Sequence, residues 1–124
     1  EALTGRFVSL EDALGEALPR GFAATLAAYR AWTGDTRHRY VGNAEARVNA
    51  LGYRLLSEKR ADDGIVVFRV NAVAHPASFN AFDSLGEAYD LAGRKTDAIT
   101  AYQRSVHLNP ASTSGLAALE RLRE

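Results

Sequence analysis

The chain has 124 residues, 47% hydrophobic and 24% charged, with equal numbers of acidic and basic side chains and no cysteine. A zero formal charge gives no global pull toward nucleic acid or an anionic membrane, and no apolar run reaches the roughly 18 residues a spanning helix needs. Without cysteine there is no disulfide, no thiolate nucleophile and no thiolate metal site.

The chain begins at Glu1 and contains no methionine. This reads as a processed protein or a piece of a larger one. Arg6 to Leu10 carries a brief alternation, too short for a strand. Ser9 to Leu18, "SLEDALGEAL", has the N-terminal signature of a short helix, with Ser9 as cap and Asp12 three residues on. Pro19 then ends that helix or starts another. In "GFAATLAAYRAW", Phe22, Leu26, Tyr29 and Trp32 recur on one helical side. The two helices form a degenerate hairpin over residues 9–33, and "TGDTRHRYVGN" reads as an exposed loop.

From residue 45 the chain repeats itself. A shift of 34 positions superimposes Leu51-Gly52 on Leu85-Gly86, Arg60 on Arg94, Asp63 on Asp97, Ile65 on Ile99, and Pro76-Ala77-Ser78 on Pro110-Ala111-Ser112. Val48 meets Phe82, Leu55 meets Tyr89, and Phe68 meets Tyr102. The first unit spans residues 45–78 and the second 79–112. In each, an apolar stripe defines a first helix (Val48, Leu51, Leu55; Phe82, Leu85, Tyr89, Ala92). A second stripe defines the helix after it (Ile65, Phe68, Ala72; Ala98, Ile99, Tyr102, Val106). Gly93 supplies a left-handed stop, Pro110 forbids continuation, and Ser112 or Thr113 can cap a further helix.

Glycine inside a helix costs about 1 kcal/mol against alanine. Gly52 and Gly86 therefore call for a cause, and close passage of the Phe68 or Tyr102 ring supplies one. The last segment, 113–124, carries Leu116, Leu119 and Leu122 among charged residues, as expected of a helix that closes a stack with one polar face.

These positions resemble the tetratricopeptide repeat, a 34-residue helix–turn–helix unit with Leu-Gly, aromatic, small and late proline positions. Val48, Leu51-Gly52, Leu55, Gly64, Phe68 and Pro76 fit with substitutions. Phe82, Leu85-Gly86, Tyr89, Ala98, Tyr102 and Pro110 fit more closely. A position usually held by alanine is Asn71 in one unit and Ser105 in the other, which hints at looser packing or a polar contact between neighbouring units. The resemblance implies an all-α single domain. Its form is a right-handed stack of antiparallel helical hairpins, an α-solenoid, with the degenerate hairpin at one end and the closing helix at the other. The short hairpin, "NALGYRLL", "FRVNAVAHPASFNAFDSLGEAYDLAGR" and the Leu-rich end also look like tails that follow the catalytic domain in some bacterial serine hydrolases of the beta-lactamase-related and esterase type. That likeness implies a non-catalytic appendage or a free-standing relative, soluble and from an exported bacterial protein.

No serine has a lysine three residues on, and Gly-x-Ser-x-Gly is absent, so if a larger parent is an enzyme its chemistry lies elsewhere. His38, His75 and His107 make no helical pair and read as surface or helix-terminal residues. Asp62-Asp63-Gly64 lacks the later ligands of a calcium loop and reads as the first turn of a helix. "RHR" at Arg37 to Arg39, beside Tyr40, reads as a solvated loop rather than a nucleic-acid contact. No cofactor or metal is expected.

The resemblance places a partner on the concave face lined by first helices. The expected contacts are Asn49, Tyr53, Asn80, Asp83, Ser84, Glu87, Asp90 and Arg121, with Ala50, Ser57 and Ala117 beside them. Family members that clamp a C-terminal carboxylate use cations there. Here the positions are neutral or acidic, so the expected partner is a basic or neutral extended segment of a protein, or the parent domain, with no nucleic acid or membrane. Reversing the charge at Asp83 and Glu87 should then weaken basic peptides and leave the fold intact. The alternative is a structural module that self-associates, since two good repeats are fewer than such stacks usually need. The N-terminal hairpin, with Trp32 buried against the first unit, would supply the missing layer.

Overall fold

The computed structural model describes residues 8–38 and 42–124, which are helical with no strand among them. Seven α-helices follow one another: α1 (Leu10–Ala17), α2 (Phe22–Gly34), α3 (Ala44–Ser57), α4 (Ala61–Ala74), α5 (Phe79–Leu91), α6 (Lys95–Leu108) and α7 (Thr113–Leu122). Short 3₁₀ turns at Leu18–Arg20 and Thr36–His38 flank α2. The loop expected from Thr33 onward is thus partly helical, while Arg39 and Tyr40 lie outside the described residues, as do Arg6 and Phe7 of the brief alternation. No helix among the described residues is long and apolar enough to cross a membrane.

The helix ends reflect the residues at them. Ser9, Ser78 and Ser112 cap α1, α5 and α7, each hydroxyl accepting from the backbone N–H three residues on. Pro19 stands in the 3₁₀ turn, and Gly21 takes φ +95° to redirect the chain into α2. α3 and α5 both end in a paired carbonyl closure. Lys59 N–H reaches Leu56 O and Arg60 N–H reaches Leu55 O, while Gly93 and Arg94 do the same to Asp90 and Tyr89. This closure needs a left-handed residue. Gly93 supplies φ +77°, and in the first unit Lys59 does so at φ +62° despite its Cβ.

Packing joins α1 with α2 and then runs through the sequence from α3: α3 with α4, α4 with α5, α5 with α6, and α6 with α7. The N-terminal pair joins the rest differently, with α1 on α3 and α2 on α4. In the first unit, Leu56 meets Gly64, Gly52 meets Phe68, and the Glu45 carbonyl meets Asn71, so contacts run back along α3 as they advance along α4. α4 is covered on several sides, which its nearly all-round apolar sequence allows. Val67 and Val70 join a core with Leu10, Leu14, Tyr29, Trp32, Val48, Leu51 and Leu55. Ile65, Phe68 and Ala72 join a second with Ala81, Leu85, Ala88 and Ala101. A third core holds Ala98, Tyr102, Ala118, Leu119 and Leu122.

Both mid-helix glycines lie under aromatic rings. A Cβ on Gly52 would sit 2.5 Å from Phe68 Cε1 and Cζ, and one on Gly86 would sit 2.9 Å from Tyr102 Cδ2. The echo of "SLGEAY" in "ALGEAL" does not extend to packing, because Gly15 faces open space. Trp32 is 9% exposed and shares the first core with Val48, Leu51 and Leu55, and its indole N–H donates to the Val8 carbonyl at 2.9 Å.

Leu116 departs from expectation: it is 47% exposed. The buried stripe of α7 is instead Gly115, Ala118, Leu119 and Leu122, spaced i, i+3, i+4, i+7, whereas Leu116, Leu119 and Leu122 drift around the helix. Gly115 lets α7 approach α6 closely, since a Cβ there would lie 2.9 Å from Val106 Cγ2. Continuing the 34-residue register puts Glu120 where Gly52 and Gly86 stand. A further helix laid on α7 as α6 lies on α5 would have to bury that carboxylate.

Candidate functional site

The expected contact residues sit on α3, α5 and α7, and three hydrogen-bonded groups tie most of them together. Tyr53, at the outer edge of α3, donates to Glu87 Oε1 at 2.8 Å and lies 3.2 Å from the buried Ser84 hydroxyl. Its ring packs edge-on against Phe68, the same ring that occupies the space over Gly52. Asp83 accepts from Ser105 Oγ of α6 at 3.0 Å and from Ser114 Oγ of α7 at 2.7 Å. Asp90 pairs with Arg121 of α7 at 2.7 Å.

Asn49 and Asn80 stand apart from these groups. Asn49 Oδ1 is buried without a hydrogen-bond partner among the described residues, as is Asn71 Oδ1. Asn80 is exposed and lines a different cleft, of about 430 Å³, with Asn43, Glu45 and His75. Ser84 is 2% exposed and positions Tyr53 rather than facing solvent.

The electrostatics of this face come from α5. Among the described residues neither Asp83 nor Glu87 has a cationic partner, because their partners are neutral hydroxyls. Asp90 alone is neutralised. Its bond raises the Arg121 guanidinium further above its ordinary range. The field registers on two tyrosines. The Tyr102 phenol is pushed up to about 12, first by burial and then by Glu87, Asp83 and Asp90. Tyr53 is raised by burial first, with Glu87 and Asp83 adding to it.

Ser105 and Ser114 are missing from the sequence-derived set. The only signal in the sequence is Ser105 at a position where the repeat pattern wants alanine. That departure and its counterpart Asn71 suggest looser packing or a polar contact between units; both side chains are 0% exposed and bond within their own unit, Ser105 to Asp83 and Asn71 Nδ2 to the Glu45 carbonyl at 3.0 Å. Asp83 also corrects a second expectation. Reversing its charge would break the two hydrogen bonds that join α6 and α7 to α5 and leave the buried Ser105 hydroxyl unpaired, so it would cost stability.

Several other polar side chains have close local partners. Asp62 and Asp63 lie in the first turn of α4, where Asp63 pairs with Arg60 at 2.8 Å, and Asp97 and Arg94 repeat the pair. His38 stacks on Trp32 with ring centroids 3.8 Å apart. His75 ends α4, with Nε2 3.0 Å from Tyr29 OH and Nδ1 facing Glu45, which also takes the Ser78 hydroxyl. Arg37 forks onto Asp35 and, with the backbone N–H, holds that carboxyl down at about 2. Among the described residues no three His, Cys, Asp or Glu side chains gather as a metal site would require.

No protein-family model matches this chain, and no curated protein matches it.

Proposed function

We propose that this chain is a non-catalytic protein-interaction module. In this reading it is a tetratricopeptide-type, right-handed stack of antiparallel helical hairpins that holds a peptide, or a parent domain, on the face formed by α3, α5 and α7. The observation that carries the reading is the uncompensated charge of Asp83 and Glu87, fixed in place by neutral hydroxyls beside the Tyr53 ring. A basic extended segment suits that surface: its cations would meet carboxylates that already have fixed positions, so little ordering is required on binding.

Fluorescence anisotropy with labelled Lys/Arg-rich peptides tests this. Binding should weaken with added salt and fall about fivefold or more on Glu87→Lys, the equivalent of about 1 kcal/mol for an exposed charge. Glu87 is the residue to change because it is exposed and its hydrogen bond is to the Tyr53 hydroxyl alone, away from the contacts that join α6 and α7 to α5. Equal binding by the parent and Glu87→Lys would reduce this face to a solvated surface.

The alternative, a self-associating structural module or the appendage of a larger serine hydrolase, draws on the exposed apolar side chains Val73, Phe79, Leu91 and Leu116. Sedimentation over a range of concentrations separates it from the first reading.

A further inference from the structure

A second surface lies on the other side of α5. At about 100° per residue, Phe82, Leu85 and Tyr89 point roughly 130° around the helix from Asp83, Glu87 and Asp90. They floor a trough between α4 and α6. One compartment, of about 330 Å³, is walled by Arg69, Ala72 and Val73. The other, of about 340 Å³, is walled by Thr100, Ala101 and Arg104. Small residues at Ala72 and Ala101 leave the space, and the floor is only partly covered: Phe82 and Tyr89 are half-buried where Val48 and Leu55, their counterparts in the first unit, are 1% and 2% exposed.

The rim carries positive charge without a matching acid. Arg69 lies over the Phe22 ring at 4.0 Å and Arg104 near the Phe82 ring at 5.7 Å, and neither forms an ion pair among the described residues. The one carboxylate of the trough, Asp97, is taken by Arg94 at 2.8 Å. Two guanidinium groups thus flank two apolar compartments, a pattern complementary to carboxylates flanking two bulky apolar side chains.

We infer that this trough is a docking site for an acidic protein segment that places two large apolar side chains in the two compartments and its carboxylates on Arg69 and Arg104. The site is independent of the α3–α5–α7 face, which has the opposite charge. Both compartments share the floor of Phe82, Leu85 and Tyr89, one toward α4 and the other toward α6, so the two apolar side chains sit side by side across α5 rather than along it.

The probe is a fluorescein-labelled panel of Glu-rich peptides, each with two Leu or Phe residues at spacings varied across the panel, titrated into the full chain. Binding by members of the panel is expected. It should fall about tenfold or more on the double change Arg69→Glu, Arg104→Glu, and fall partway on Arg104→Glu alone. Circular dichroism melts check each variant, and Arg104→Glu, at an exposed position where Phe82 is the neighbouring ring, decides the matter should the double variant unfold. The inference is overturned when no member binds the parent, or when folded charge-reversed variants bind as well as the parent. It is also overturned when the parent self-associates and the double change abolishes that, which would assign the trough to a second copy of this chain. Failure of Lys/Arg-rich peptides at Glu87 leaves this result untouched, so the two surfaces are judged separately.

Discussion

Adding a single methyl group at Gly52 separates close packing from helix propensity, because the two act in opposite directions there. Alanine in place of a helical glycine returns about 1 kcal/mol. At Gly52 the added Cβ would lie 2.5 Å from two atoms of the Phe68 ring. That ring is 0% exposed and is hemmed in by the second core and by Tyr53. Overpacking of this kind costs about 1–3 kcal/mol, and with so little room the upper part of the range applies, leaving a net loss of about 1–2 kcal/mol. At Gly86 the contact is looser, 2.9 Å to a Tyr102 ring that is 6% exposed, and the two terms should cancel to within about 1 kcal/mol. Gly52→Ala should therefore melt about 4–8 °C below the parent and Gly86→Ala close to it, at about 4 °C per kcal/mol for a chain of this size. Urea titrations of both, followed by circular dichroism, give the free energies. Adding Phe68→Leu to Gly52→Ala should recover part of the loss, with a coupling of about 1 kcal/mol. A Gly52→Ala protein that melts at or above the parent would refute the close-approach reasoning outright.

Lys59→Gly should stabilise the chain by about 0.5–1 kcal/mol, since a left-handed side chain costs about 1–2 kcal/mol and glycine gives part of that back in entropy; an unchanged or lower urea midpoint would contradict this. Ser112→Ala removes the α7 cap and should cost about 1 kcal/mol, read by the same titration. The Glu11–Arg47 pair, at 2.7 Å, joins α1 to α3 and lowers the Glu11 pKa, mainly through the Arg47 hydrogen bond. A depressed folded-state pKa contributes stability above the unfolded value that is lost as pH falls through the folded one. Glu11→Gln should thus cost about 0.2–1 kcal/mol at neutral pH, and the gap to the parent should close in acid; a gap independent of pH would point to packing instead. Trp32 emission should lie well to the blue of free tryptophan and resist acrylamide, and emission matching free tryptophan would show that α2 does not pack on the first core.

Local signals carried far in this chain. Serine caps, the stop at Gly93, the late prolines and apolar stripes of helical period place the helices of both repeats close to where they stand, because each signal acts within a turn or two of backbone. The rings over Gly52 and Gly86 were legible for a related reason: a glycine in a helix costs stability, and only a close neighbour explains it. Other features needed the helices set against one another. Asp83 reads as a free groove acid until α6 and α7 bring Ser105 and Ser114, 22 and 31 residues away, onto its oxygens. Leu116 faces outward because Gly115, one residue earlier, meets Val106. Lys59 takes a glycine's conformation because the closure of α3 over Leu55 and Leu56 requires it. Periodicity fixes which side of a helix is apolar. How far each helix slides and turns against its neighbour is set by packing, and that decided which polar groups on α5 are bonded within the chain and which carboxylates have no cation beside them among the described residues.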